Sequence, residues 1–201
     1  MTVNLAEFNF MSKSNEATIG FLRHSEIKHG RVAMFGFVGY IVHANCFKFP
    51  WPMQLDGSPF PYESNPCVLW DTIPDAAKWQ IVWFVGFLEF WGELSTPEHM
   101  HYMEAGGVPG KYPDFIVGPT FIPHPVGFNL YDPLKLWKKR SEEAKASGLL
   151  VEINNGRLAM LGIIGFLSQQ TMPGAVPLLN GVLPGYDGEV MAPFTVNIFV
   201  L

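Results

Sequence analysis

The sequence EIKHGRVAMFGFVGY at residues 26–40 returns as EINNGRLAMLGIIGF at residues 152–166. Eight of the fifteen positions are identical, and most of the others exchange one apolar residue for another. Both copies combine an acidic residue, an arginine and several small residues with an apolar run. An internal repeat of this kind indicates two equivalent structural units, here two helices that run in the same direction.

The composition fits a chain built around apolar surfaces. Charged residues make up 15% of the 201 residues and hydrophobic residues 48%, whereas an average soluble domain has about 25% charged residues. The net charge of −5 argues against nucleic acid as a partner, because nucleic acids are bound by basic faces. With two cysteines in the chain, disulfides cannot be the main source of stability. We therefore expect one domain over residues 1–201, either in a membrane or binding large apolar ligands.

Three apolar segments predict three transmembrane helices, at about residues 24–46, 75–94 and 149–172. None contains the ~18–20 uninterrupted apolar residues of a simple spanning helix, so the charges at their edges need partners. Basic residues are concentrated before the first and the third helix, eleven against two on the other side. By the positive-inside rule, the N-terminus faces the cytoplasm-like side of the membrane and the C-terminus the opposite side.

The charges of the repeat predict how its two helices are joined. Within one helix, Glu26 and Arg31 point about 140° apart, too far round to pair well. In two parallel helices related by a two-fold axis, the glutamate of each copy instead meets the arginine of the other. The predicted pairs are Glu26 with Arg157 and Glu152 with Arg31. Such pairing makes charges tolerable in a bundle, so we expect an all-α membrane protein whose first and third helices form a crossed, pseudo-two-fold pair.

The predicted helices also carry isolated polar side chains. A transporter would use them as a path, whereas single, spaced residues suit axial bonds to a metal ion in a macrocycle. Mg²⁺ accepts oxygen and some nitrogen donors, and a carboxylate paired with arginine adds no net charge. Two candidates recur at one spacing, fourteen residues after the motif position: His43 after His29, and Gln169 after Asn155. The candidate set is Glu26, His29, His43, Gln80, Glu89, Glu152, Asn155 and Gln169.

The two motifs resemble those of the light-harvesting chlorophyll-binding superfamily. The resemblance rests on Glu26–Met34 and Glu152–Met160 and covers about residues 21–172. The His-Gly-Arg form of the first motif and the stretch His124–Pro133 are most similar to the chlorophyll a/c branch, the fucoxanthin chlorophyll proteins and related algal chlorophyll a-c antennae. The resemblance implies a three-helix protein of the chloroplast thylakoid membrane, with a stromal N-terminus and a lumenal C-terminus.

The resemblance also implies a set of functional residues and cofactors. The family's magnesium ligands correspond to Glu26, His29, Glu152, Asn155 and Gln169. Its ion-pair arginines correspond to Arg31 and Arg157. Further candidates are Gln80 and Glu89 on opposite sides of the middle helix, and the loop histidines His101 and His124. The implied cofactors are chlorophyll a, chlorophyll c and carotenoids of the fucoxanthin or peridinin type, with bound lipid as a further candidate.

Some parts of the chain bear on the carotenoid sites and the cysteines. Asn129–Leu134 resembles the loop that holds one end of a carotenoid before the third helix. No matching loop precedes the first helix, where Thr18–Arg23 stands instead, so the carotenoid site at that end differs or is missing.

Cys46 and Cys67 are both predicted on the lumenal side, and a disulfide and two separate thiols are both open alternatives.

A member of this family would act as an antenna that absorbs light and passes excitation to photosystem I or II. Neighbouring antenna subunits and thylakoid lipid are the other implied partners. A photoprotective, energy-dissipating member of the same family is one alternative. A small membrane transporter that uses Glu26, Glu89 and Glu152 is an alternative of another class. The sequence has no phosphate loop, zinc spacing or nucleophile elbow that would indicate an enzyme.

Overall fold

A computed structural model shows a mainly helical chain, and it describes residues 14–47, 50–52, 54, 57–59, 61, 63–95, 99–113, 136, 139–190, 192 and 194. The α-helices in this part of the chain are α1 (Asn15–Ala44), α2 (Pro66–Thr72), α3 (Asp75–Gly92) and α4 (Glu142–Thr171). A short 3-10 helix follows at Pro177–Leu179. α3 begins where the sequence predicts it, just after a proline.

Both repeat helices begin earlier than apolar density predicts. We expected them at about residues 24 and 149, but they begin at Asn15 and Glu142. Ser14 Oγ accepts a hydrogen bond from the backbone amide three residues later at 3.2 Å, and Ser141 Oγ does the same at 3.3 Å. Such N-caps start a helix within polar sequence, which a search for apolar runs overlooks. Thr18–Arg23, in place of the first carotenoid loop, is consequently helical.

α1 ends in a turn that places Cys46 in the left-handed region, at φ 60°. The Cys46 amide donates to the His43 carbonyl at 2.8 Å. The Phe47 amide donates to the Val42 carbonyl at 3.2 Å. These two bonds form a Schellman motif, the helix end that glycine usually completes. Cys46 and Cys67 are both free thiols, so of the two alternatives for the cysteines the structure has the separate thiols.

The residues form two compact units, and α1, α3 and α4 each contribute one part to each unit. The first unit draws on Met1–Arg31 and Val85–Gly156. The second draws on Val32–Phe84 and Arg157–Leu201. In the first motif copy, residues 26–31 belong to the first unit and residues 32–40 to the second. In the second copy, residues 152–156 belong to the first unit and residues 157–166 to the second.

Two glycines bring α1 and α4 together in the first unit. A Cβ atom on Gly30 would lie 3.0 Å from the Gly156 Cα, and one on Gly156 would lie 2.9 Å from the Gly30 Cα. The two glycines hold the same position of the repeat. Because only residues without a side chain allow backbones to approach so closely, this contact explains both glycines.

Aromatic rings join α1 and α4 in the second unit. Phe37 and Tyr40 each stack on Phe166, with ring centroids 5.0 Å and 4.7 Å apart. Tyr40 and Phe166 hold equivalent positions of the repeat, as the two contacting glycines do. Phe37 also covers Gly162, where an added Cβ would lie 2.7 Å from the ring. The repeat therefore packs against itself at matching positions.

A buried polar cluster connects α2 to the end of α4 in the second unit. Gln170 Nε2 donates to Asn65 Oδ1 at 2.7 Å, and the Cys67 thiol donates to Gln170 Oε1 at 3.2 Å. Asn65 Nδ2 donates to the Gly185 carbonyl at 3.2 Å. Buried amides are tolerated only when hydrogen-bonded, so the cluster fixes α2 in place. α2 is too short to stand out as an apolar segment and was not predicted, although Asn65 followed by Pro66 is a typical helix start.

α4 is, among the helices that the structure describes, the one long and apolar enough to cross a membrane. Only 11% of its most apolar window is buried inside the protein. Large apolar side chains are exposed on α1 and α3 as well, including Phe35 at 82% and Trp83 at 74%. Apolar surface on this scale indicates contact with lipid, ligands or other proteins.

Candidate functional site

One of the two predicted Glu–Arg pairs lies within the first unit. Arg31 Nε donates to Glu152 Oε1 at 2.6 Å, and Arg31 Nη1 donates to the Gly110 carbonyl at 2.7 Å. Both side chains of the pair are 26% exposed. The planar guanidinium binds a carboxylate and a carbonyl at once, which a lysine ammonium cannot do in the same geometry. The reciprocal pair of Glu26 and Arg157 stays a prediction.

His29 presents a ring nitrogen prepared for a ligand role. His29 Nδ1 lies 2.8 Å from the Ser25 carbonyl oxygen, which can only accept a hydrogen bond, so Nδ1 carries the proton. His29 Nε2 therefore keeps its lone pair, and the side chain is exposed. Metal-bound histidines usually have this arrangement, because a carbonyl that accepts from one ring nitrogen fixes the tautomer and orients the other.

The other motif candidates lie beside the same glycine contact in the first unit. Asn155 holds the position in α4 that His29 holds in α1, and both side chains are exposed. Glu26 and Glu152 precede them by three residues, and both are half-buried. The structure thus brings together two pairs of candidates, one pair on each helix.

The two candidates on α3 have different surroundings. Gln80 is exposed near the start of the helix. Glu89 lies near its end, where Glu89 Oε2 accepts from Lys28 Nζ at 2.5 Å. Lys28 also reaches Glu93 Oε1 at 3.5 Å. The sequence does not reveal this lysine partner, because Lys28 and Glu89 are distant in sequence and lie on different helices.

Both ring nitrogens of His101 make hydrogen bonds within the protein. Its Nδ1 accepts from the Met103 amide at 3.2 Å, so Nε2 carries the proton and donates to Glu93 Oε2 at 2.9 Å. The Tyr102 hydroxyl donates to the same carboxylate at 3.0 Å. Burial and the Glu93 carboxylate raise the pKa of Tyr102 to about 12. Two other predicted sites, His124 and the carotenoid loop Asn129–Leu134, lie outside the described residues.

The two candidates fourteen residues beyond the motifs differ in exposure. His43 is exposed at the end of α1. Gln169 is 2% exposed, and its Oε1 accepts from the Val176 amide at 2.9 Å. The Gln169 side chain therefore binds the backbone of the segment that follows α4. Its role as a magnesium ligand stays a prediction, and it would use the second lone pair of this oxygen.

His24 is a buried histidine that the sequence analysis overlooked. It is 6% exposed, and its ring stacks on Tyr102 with centroids 3.7 Å apart. His24 Nδ1 accepts from the Gly110 amide at 3.1 Å, while Arg31 binds the carbonyl of the same glycine. The sequence does contain a sign that His24 matters. His24 precedes Arg31 by seven residues, or about two helical turns, so the two side chains lie on the same face of α1.

Comparisons with known proteins give the chain a family. The family model for "Chlorophyll A-B binding protein" matches residues 4–171. The chain is 32% identical over 163 residues to the chloroplastic fucoxanthin-chlorophyll a-c binding protein of Trieres chinensis, covering 79% of this chain and 69% of that protein. It is 29% identical over 151 residues to protein F of that name from Phaeodactylum tricornutum, covering 75% and 65%. A second protein F, from Macrocystis pyrifera, is 29% identical over 163 residues, covering 81% and 66%.

The aligned part of the chain thus spans about two thirds of the length of these relatives. The region that the family model matches contains both motif copies, the glycines that join their helices, and the Arg31–Glu152 pair. On this agreement between motif, packing and match, the chain belongs to the chlorophyll A-B binding protein family.

Proposed function

We propose that this chain is a light-harvesting antenna protein, which holds chlorophylls and carotenoids in a thylakoid membrane and passes excitation energy to a photosystem. The observation that carries the proposal is the tautomer of His29, whose exposed Nε2 keeps a lone pair while Nδ1–H is held by the Ser25 carbonyl. The relatives are named for fucoxanthin and chlorophyll a-c. Chlorophyll a, chlorophyll c and fucoxanthin-type carotenoids are therefore the proposed pigments.

The donors beside the glycine contact suit the magnesium of chlorophyll. Magnesium prefers oxygen donors and accepts imidazole nitrogen. His29 offers a nitrogen, Asn155 an amide oxygen, and Glu152 a carboxylate neutralised by Arg31. The other proposed ligands are Glu26, Gln80, Glu89, His43 and Gln169. A bound pigment would supply the light absorption, and the protein would hold its magnesium with these side chains, in apolar surroundings and at fixed spacing, with no bond-making step.

The proposed membrane arrangement has three spanning helices, α1, α3 and α4, in one domain. The length of α4 and the exposed apolar side chains of all three helices support it. In this arrangement α1 and α4 form a crossed pair joined by two reciprocal ion pairs, of which Glu26 with Arg157 is the second. The basic residues favour a stromal N-terminus and a lumenal C-terminus. The proposed partners are a photosystem core, neighbouring antenna subunits and thylakoid lipid.

The test is to purify the protein from its native membrane in mild detergent and to record absorption and fluorescence-excitation spectra. We expect chlorophyll a bands with a chlorophyll c Soret shoulder, and carotenoid absorption that excites chlorophyll a emission. A short emission lifetime confined to acid pH would instead favour an energy-dissipating role. A folded but colourless protein would overturn the proposal and direct attention to the helix glutamates as a transport path.

A further inference from the structure

Lys28 of α1 lies between two carboxylates at the end of α3, within the first unit. Its Nζ is 2.5 Å from Glu89 Oε2 and 3.5 Å from Glu93 Oε1. The Lys28 side chain is 25% exposed. Because the two glutamates are four residues apart, one helical turn places them on the same side of the chain, where a single ammonium group can reach both.

The two carboxylates are used differently. Glu93 also accepts hydrogen bonds from His101 Nε2 at 2.9 Å and from the Tyr102 hydroxyl at 3.0 Å and 3.2 Å, so both of its oxygens are engaged. Glu89 accepts only from Lys28 among the residues that the structure describes, and its side chain is 56% exposed. Glu93 thus holds the lysine in place, whereas Glu89 keeps its Oε1 open to the surroundings of the helix.

The cation cannot come from α3 itself. The helix contains one basic residue, Lys78, eleven positions before Glu89, which corresponds to about 16 Å of helix. The position three residues after Glu89 is Gly92, where a Cβ would lie 3.2 Å from the Tyr112 ring and 4.0 Å from Lys28 Nζ. Gly92 leaves room for Tyr112, whose hydroxyl donates to the Leu88 carbonyl at 2.6 Å, and for the lysine that arrives from α1.

The repeat shows that Lys28 is specific to the first copy. The equivalent position of the second copy is Asn154. The eight positions at which the two copies are identical include the glutamate, the arginine and the small residues that the crossed helices require. A cation that only one copy carries, and that binds a third helix, therefore has a task other than joining α1 to α4.

We propose that Lys28 is a positioning residue that neutralises Glu89, so that Glu89 Oε1 can bind the magnesium of a chlorophyll at the end of α3. This inference rests on the proposed function. An ionised carboxylate in apolar surroundings is costly unless a cation pairs with it. In the same way, Arg31 of α1 neutralises Glu152 of α4.

The test is pigment content per chain, by chromatography and circular dichroism, of the full-length protein refolded with chlorophyll a, chlorophyll c and carotenoid. Lys28→Met keeps the aliphatic stem but removes the charge, and we expect it to lose about one chlorophyll per chain. Lys28→Arg is expected to keep that pigment. The double variant Lys28→Met/Glu89→Gln should keep it too, because a neutral amide oxygen needs no counter-charge.

The double variant separates a ligand-positioning role from a structural one. If it loses as much chlorophyll as Lys28→Met, or fails to fold, then Lys28 acts by holding α3 and the inference is wrong. Full pigment content in Lys28→Met would overturn it as well. In either case the wild-type protein still binds pigment, whereas a wild-type chain that binds no chlorophyll would contradict the proposed function itself.

Discussion

Gly30 and Gly156 occupy the same position of an internal repeat and meet each other backbone to backbone. Each glycine is the nearest neighbour that a Cβ atom on the other would encounter, at 3.0 Å and 2.9 Å. The four candidates of the two motifs, Glu26, His29, Glu152 and Asn155, lie within about one turn of this contact on each helix. The spacing of the candidate ligands is therefore set by how closely these two backbones approach.

We expect Gly30→Ala to destabilise the protein by about 1–3 kcal/mol, the usual effect of overpacking a well-packed site. The added methyl group would meet a backbone atom, which cannot rotate away as a side chain can. The matched control is Gly36→Ala on the same helix, where a Cβ would meet nothing within 4 Å. The control should gain about 0.5–1 kcal/mol from reduced backbone entropy. Unfolding midpoints of the two variants give the comparison, and equal midpoints would contradict it.

The features of the structure that could be predicted from the sequence are those of the two repeat helices. Aligning the two copies is enough to propose two equivalent helices and the pairing of Glu152 with Arg31, because symmetry relates those positions directly. It does not reveal the contact of Lys28 with Glu89, which depends on how α3 lies beside the first copy of the repeat. The early helix starts at Asn15 and Glu142 were missed because these residues and their N-caps, Ser14 and Ser141, lie in polar sequence.

His29 and His101 should respond differently to the same substitution. His29→Leu removes an exposed imidazole whose Nε2 has a free lone pair, so we expect the loss of one chlorophyll per chain with the remaining pigments retained. His101→Leu should leave pigment content unchanged, because both nitrogens of that ring already make hydrogen bonds within the protein. Pigment extraction and chromatography on the two purified variants measure this directly. A chlorophyll lost from His101→Leu alone would show that the assignment is reversed.

Cys46→Gly should stabilise the end of α1. Cys46 adopts φ 60°, a conformation that costs a residue with a Cβ roughly 1–2 kcal/mol and glycine very little. We expect a gain of about 1 kcal/mol, reduced by the greater entropy of glycine in the unfolded chain. Cys46→Ala is the control, since alanine keeps the strain while removing the thiol. An equal gain in both variants would trace the effect to the thiol and not to the backbone.

Tyr40→Phe and Tyr102→Phe remove the same hydroxyl group but should change stability differently. The Tyr40 hydroxyl is buried and has no hydrogen-bond partner within the described ranges, so Tyr40→Phe is expected to leave stability unchanged or to raise it by up to about 1 kcal/mol. The Tyr102 hydroxyl donates to Glu93, so Tyr102→Phe should cost about 1 kcal/mol or more. Denaturant unfolding of both variants in the same detergent tests the difference. A larger loss from Tyr40→Phe would show that its hydroxyl is bonded in the working protein.

The buried side chain of His99 should make the free energy of unfolding depend on pH. This side chain is 5% exposed, and burial, followed by Lys111 and His101, lowers its pKa below the ordinary value of 6.5. The unfolded chain therefore binds a proton near pH 6.5 that the folded protein does not accept, so His99 makes stability fall as pH decreases below that value. Between about pH 7.5 and about pH 5.5 we expect an unfolding free energy that falls by at most about 1.4 kcal/mol per pH unit from this group. His99→Gln should make that slope shallower, because the substitution removes this buried imidazole. If the slope survives in His99→Gln, groups other than His99 set the acid sensitivity.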